Sequence, residues 1–174
     1  LDAPSGDVVD RHGHPGEDAR VAERGRRDHR PEPYPLRDGA DPRLFVLGEG
    51  YDEASFVAAL VADDVRRGAD PAESAVLHPT NKGADEIIKA LKTDRVPVQK
   101  LVDYKGVRAP GVKVGTFHRA KGLEFKRVYV AGLGRKRWPM LWKETDPVSR
   151  EAERARQVRA AFVAMTRARD DLQV

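Results

Sequence analysis

Apolar and polar residues follow no periodic rule from residue 1 to 40, where Asp, Arg, Gly, Pro and His dominate and apolar side chains are too sparse to mark a helix face or a strand. This stretch reads as a flexible, low-complexity charged segment, with ARVAERGRR at 19–27 forming at most a short helix broken by Gly25. From 41 to 174 the pattern becomes that of a folded domain. LFVL at 44–47, closed by Gly48 and Gly50, predicts a short buried strand. A helix follows it: Asp52 and Glu53 sit in its first turn, Phe56, Val57, Leu60 and Val61 form its apolar stripe, Arg66 and Arg67 lie in its last turn, and Gly68 stops it.

SAVLH at 74–78 predicts the next strand, and Pro79-Thr80-Asn81 introduces a helix whose Ala84, Ile87, Ile88 and Leu91 fall at i, i+3, i+4 and i+7. Further strands are expected at 96–102, 112–116 and 127–131, the last with the unbroken VYVA of an inner parallel strand. A final helix over 147–168 is expected to bury Val158, Ala161, Phe162 and Met165, and 172–174 to open one more strand. Strands alternating with helices predict an α/β fold, a mostly parallel sheet covered by helices on both faces.

Composition changes this picture little. The 174 residues allow one domain with a sizeable core. A charged fraction of 34% and a mean hydropathy of −0.63 imply a strongly solvated surface. The net charge of +4 fits contact with a polyanion without requiring it. With no cysteine there is neither a disulfide framework nor a thiolate metal site, which agrees with a cytoplasmic setting. No long apolar run suggests a membrane span. The chain starts at Leu1, which suggests a piece of something longer. His12 and His14 could bind a metal, but two histidines without further ligands read as a solvated tail, so no metal site is expected.

Candidate chemistry is concentrated in two strings. In TFHRAKGLEF at 116–125, Thr116 and His118 can donate hydrogen bonds to phosphate oxygens and Lys121 adds a mobile positive charge. Gly122 permits close backbone approach, and Glu124 can accept from a sugar hydroxyl. The string leaves a strand end, where open α/β sheets gather ligands. In ERARQVRAAFVAMTRAR at 153–169, Arg159 and Arg167 are eight apart, about 80° around a helix, so both could face one cleft. Arg154, Arg156 and Arg169 read instead as surface partners of Glu151, Glu153 and Asp170. Asn81 is a candidate helix cap. RKRWPMLW at 135–142 sets cations beside Trp138 and Trp142, and Trp138 reads as a packing residue.

T-x-H-x-x-K-G-L-E-F followed by T-R-A resembles motifs V and VI of the UvrD/Rep-type superfamily 1 DNA helicases, and SAVLHPTN resembles their A-V-L-x-R-T-N segment with Pro79 in place of the Arg. The resemblance covers roughly 44–174. It implies the C-terminal RecA-like domain, 2A, of an ATP-dependent helicase moving 3′→5′. It implies that Glu124 contacts the ribose of ATP, with Lys121, Gly122 and Arg159 near the nucleotide, and that Arg167 is a catalytic arginine finger. Thr116, His118 and Asn81 would then face single-stranded DNA. ATP and Mg2+ would be bound mainly by an N-terminal RecA-like ATPase domain of the same polypeptide.

Departures are visible. Gln157, Val158, Ala160 and Phe162 stand where the family usually has acidic, basic, large apolar and Tyr residues, and no N-Y-R-S-like segment is present. Only about twenty residues separate Leu91 from Val112, too few for an inserted domain of about 50, so the parent resembles a compact form lacking subdomain 2B. The chain contains no G-x-x-x-x-G-K-[ST], so alone it is expected not to hydrolyse ATP. The alternative reading is a RecA-like DNA-binding or protein-interaction module without ATPase activity.

Overall fold

The computed structural model describes residues 40–134, 138–141, 143 and 146–174. The expectations for 1–39, including His12 and His14, and those for Trp142 lie outside the described residues. In chain order the elements are α1 (Glu53–Arg66), β1 (Ser74–His78), α2 (Asn81–Thr93), β2 (Val98–Lys100), β3 (Val112–Thr116), β4 (Phe125–Val130), α3 (Pro147–Met165) and β5 (Ala168–Gln173). Short 3-10 turns at Pro71–Glu73 and Leu101–Asp103 lead into β1 and out of β2.

The helices begin where side chains satisfy their first free N–H groups. Asp52 caps α1 rather than entering its first turn, accepting from the Ala54 amide. Thr80 caps α2, its hydroxyl accepting from the Gly83 amide. Asn81 is therefore not the cap but the first helical residue, exposed to solvent. Asp146 caps α3 through the Ser149 amide.

All five strands are parallel, in the order β2-β3-β1-β4-β5. Alternate residues of each strand project to opposite faces, and the two cores follow that period. Val76, Val112, Val114 and Tyr129 pack with Val57, Val61, Ile87, Ile88 and Leu91 of α1 and α2. Ala75, Leu77, Val128 and Val130 pack with Phe117, Phe125, Ala161 and Ala164 on the face covered by α3. The fold is thus the expected RecA-like α/β sheet with helices on both sides.

Three sequence expectations change. LFVL is not a buried strand. Residues 40–45 run beside β5 as an extended edge segment, the amides of Arg43 and Phe45 donating to the carbonyls of Leu172 and Val174. An edge position buries only alternate residues, so Phe45 packs edge-on to Phe56 at 5.5 Å while Leu44 and Val46 are 74% and 86% exposed. On α3 the inward residues are Gln157, Ala161 and Ala164, whereas Val158 and Phe162 are exposed. Phe117 and Phe125 fill this side of the sheet, so small residues let the helix approach. The last strand begins at Ala168 rather than 172, because Asp170 and Asp171 disguise an edge strand as a polar loop.

A polar cluster joins α1 to the β4–β5 edge. The Asp64 carboxylate, 6% exposed as a residue, accepts from the Tyr129 hydroxyl at 2.6 Å and from Gln173 Nε2 at 2.9 Å. Arg127 Nε donates to Asp171 at 2.6 Å beside it. Burial alone would raise the Asp64 pKa, but these donors and the Arg127 charge hold it below its ordinary value. Burial, then the bond to Asp64, raises that of Tyr129.

Candidate nucleotide and nucleic-acid site

The register of the sheet separates the candidate residues into two groups. His78 of β1 pairs with Thr116 of β3, and Leu77 with Val130 of β4, so these residues mark the C-terminal edge. Phe125 at the start of β4 pairs with Ala168 at the start of β5, and Arg127 with Ser74, marking the N-terminal edge. The edges are separated by about six residues of strand, roughly 20 Å. Successive parallel strands require a return crossing, and residues 117–124 make it. The 116–125 string therefore serves two places and not the single strand end expected of it.

At the C-terminal edge Thr116 is 8% exposed, and its carbonyl accepts from the amides of Arg119 and Ala120, closing the turn. Phe117 is buried beneath that turn, while His118 and Arg119 are exposed on it. Asn81 lies at the start of α2, directly after the Pro79-Thr80 corner at the end of β1. His78 fills that corner. The Thr80 amide donates to its Nδ1 at 3.0 Å, which requires an unprotonated nitrogen there. Burial, opposed by the Thr80 backbone and by Glu53 and Glu86, pushes the imidazole pKa below its ordinary value.

Lys121 and Gly122 form the exposed end of the turn, Gly122 at φ 81, a conformation that side chains rarely adopt. The chain then reaches the N-terminal edge at Glu124, whose residue is exposed. Arg167 is anchored beside it. Its Nε donates to the Val163 carbonyl at 3.0 Å and its Nη1 to the Leu123 carbonyl at 3.3 Å. Nη2 donates to the Thr166 hydroxyl at 3.1 Å, and the Arg167 carbonyl accepts from the Phe125 amide at 2.9 Å. Glu124 thus stands between two residues bonded to Arg167.

Arg159 is not brought to this cluster by helical spacing, because α3 ends at Met165 and Arg167 lies beyond the Thr166 cap. It is exposed, two residues from both Gln157 and Ala161 on the buried stripe. Arg156 does pair with Glu153, at 2.6 Å, and Arg154 with Glu151 at 3.7 Å. Arg169 pairs with Glu73 at 3.5 Å instead of with Asp170, since Glu73 immediately precedes β1 and Arg169 is the second residue of β5, at the same edge of the sheet.

Sequence reasoning missed Gln157, which it noted only as a departure from a familiar pattern. The side chain is buried, its Oε1 accepting from the Met140 amide at 2.7 Å and its Nε2 donating to the Met140 carbonyl at 3.0 Å. This reciprocal pair holds the loop after β4 against α3. Trp138 in that loop is half-buried against the α3-side core, as a packing role requires.

Among the described residues no group of three His, Cys, Asp or Glu lies close enough to hold a metal, and no helix is long and apolar enough to cross a membrane.

A parallel α/β sheet with an arginine anchored beside a carboxylate at one edge and a histidine turn at the other defines a RecA-like domain with two candidate ligand edges. Residues 99–174, which contain both strings, match the family model of the UvrD-like helicase C-terminal domain. It is also similar to a crystal structure of the C-terminal domain of a possible DNA helicase from Lactobacillus plantarum WCFS1. Identity is 25%, the TM-score is 0.53, and the match covers 79% of this chain and 74% of that one. No curated protein matches the chain.

Proposed function

We propose that this domain forms one wall of a composite ATP site and part of a single-stranded DNA track in an ATP-dependent DNA helicase. An N-terminal RecA-like ATPase domain of the same polypeptide would complete both. The observation that carries the reading is the course of residues 117–124, which carry His118 at one edge and end with Glu124, next to the Leu123 carbonyl that accepts from Arg167, at the other. A change at the nucleotide edge therefore has a short covalent path to the DNA edge.

The residues fit the periphery of a nucleotide. Glu124 offers an exposed acceptor for ribose hydroxyls, and Arg167 a cation whose three partners among the described residues are neutral oxygens. A phosphate oxygen is a stronger partner for a guanidinium than a carbonyl, so Arg167 can exchange one for the other. Bound ATP with Mg2+ supplies the phosphoryl group. Arg167 would place positive charge where negative charge develops during transfer, and the phosphate cradle and metal ligands are assigned to the other domain. At the opposite edge His118 and Asn81 would contact the DNA backbone, with Thr116 shaping the turn that presents His118.

In the full-length protein, Arg167→Ala is expected to lower kcat on the order of 10³-fold with nucleotide affinity much less affected, because the finger acts chiefly in the transition state. Steady-state ATPase assays with Arg154→Ala as the control check this. An unchanged rate removes the finger assignment, and equal loss in both variants means that α3 has been destabilised. Glu124→Gln is expected mainly to raise KM for ATP, since a ribose contact is made alike in ground and transition states.

A further inference from the structure

Residues 40–45 follow β5 along its outer side. The amides of Ala40, Arg43 and Phe45 donate to the carbonyls of Asp170, Leu172 and Val174 at 3.2, 2.9 and 2.7 Å, and the Val174 amide returns a bond to the Arg43 carbonyl at 2.8 Å. Two side chains add to these bonds. Phe45 meets Phe56 of α1 edge-on, and Arg43, whose side chain is 46% exposed, reaches Asp171 at 3.4 Å. Because the segment runs parallel to β5, Ala40 lies beside the start of that strand. β5 itself begins one residue after Arg167, whose carbonyl accepts from the Phe125 amide.

The attachment is weak. Leu44 and Val46 stay largely exposed, so one aromatic contact supplies most of the apolar gain, and a partly exposed ion pair adds little. Docking also has a cost. Asp171 Oδ1 and Gln173 Oε1 are buried and accept no hydrogen bond among the described residues. Both side chains lie on the sheet face that Arg43 shares, since Arg43 and Gln173 are bridge partners and Arg43 reaches Asp171. A dry, unpaired acceptor is unfavourable, and with the segment gone β5 becomes the sheet edge, where water can reach both oxygens. Opening therefore regains part of what it loses, which places it below global unfolding.

We propose that residues 40–45 are a detachable strap that positions Arg167. Docked, the strap holds β5 between two neighbours and fixes the Arg167 backbone at its start. Released, it leaves β5 paired with β4 alone, and Arg167 is free to shift. Phe45 and Arg43 are thus positioning residues, acting through β5. The consequence for ATP turnover rests on the finger reading of Arg167, whereas detachment does not.

Amide hydrogen exchange of the 174-residue chain tests the strap without ATP or DNA. The Arg43, Phe45 and Val174 amides should exchange together, about a hundredfold faster than Val76 and Val114 of the inner strands. Phe45→Ala, which removes the aromatic contact, should speed the Phe45 and Val174 amides and the Phe125 amide about tenfold, with Val76 and Val114 unchanged. Arg43→Pro, which deletes the donor to Leu172, should do the same and keeps the test valid if the first variant disturbs α1. Strap amides as slow as the inner strands in the wild type overturn detachment. A Phe125 amide unmoved by both variants while the strap amides accelerate overturns the link to Arg167. In the full-length protein Phe45→Ala should lower kcat for ATP about fivefold at unchanged KM, the sign of a misplaced transition-state group. An effect of Arg167→Ala without one of Phe45→Ala removes the link and keeps the finger; no effect of either removes the finger and, with it, the positioning role.

Discussion

His78 closes β1 with its imidazole between two glycines. A Cβ on Gly83 would lie 2.0 Å from its Cε1, and one on Gly132 would lie 2.4 Å from its Nε2. Gly132 also has φ +84. Gly132→Ala therefore combines a steric clash with an unfavourable backbone conformation, and should cost about 1–3 kcal/mol in urea unfolding. The same packing gives a pH dependence. Burial lowers the folded pKa of His78 below 6.5, so as pH falls the unfolded chain takes up this proton first. The stability contribution is complete above about pH 6.5 and declines as the pH drops toward the folded value. A chain in which His78→Gln removes the titration should lose that component of the unfolding-midpoint profile below about pH 6.5. An unaltered profile would mean that other groups produce it.

At the scale of elements, β1, β3 and α2 were legible in the sequence because their residues face one environment. SAVLH and VKVGT are inner strands, and Ala84, Ile87, Ile88 and Leu91 share one helix face. Elements at boundaries were harder to read. ARDDLQ pairs on β4 despite three charges, since Asp171 is neutralised by Arg127 and Arg43, a partnership far apart in the chain. The phase of α3 was concealed because Gln157, Ala161 and Ala164 face the sheet in place of Val158 and Phe162. The candidate site divides in the same way. His118, Glu124 and Arg167 are candidates by residue type and order, but their distribution over two edges, and the Gln157 clamp, depend on register and loop placement. The cluster joining α1, β4 and β5 yields a further expectation. Tyr129→Phe removes the 2.6 Å bond to Asp64 and leaves a buried carboxylate one donor short, so thermal or urea unfolding should show a loss of about 1–3 kcal/mol. Because the Asp64 pKa is depressed, its contribution exists above pH 3.8 and disappears as pH falls through the folded value; the variant's deficit should shrink there. A Tyr129→Phe variant as stable as wild type would show that Gln173 and Arg127 suffice.

In the proposed reading, the molecule as a whole contributes Arg167 and Glu124, without a phosphate loop, to one shared site and His118 to another. Its net charge is only +4, so the proposed DNA binding would draw on local groups rather than on a strong overall field. Two consequences follow for the 174-residue chain. ATP hydrolysis should stay at background with or without single-stranded DNA, because Arg167 has no bound phosphate chain to act on; DNA-stimulated turnover would show that a complete site exists here. DNA binding should be weak and electrostatic. Each phosphate neutralised on a single strand contributes a slope of about −0.7 in log K against log salt, so two or three contacts predict about a tenfold loss of affinity between 50 and 200 mM salt. Anisotropy titrations across that range measure the slope directly. A tight complex that persists at high salt would mean that apolar contacts and full enclosure dominate, as in a self-sufficient DNA-binding module, and would count against half of a shared cleft.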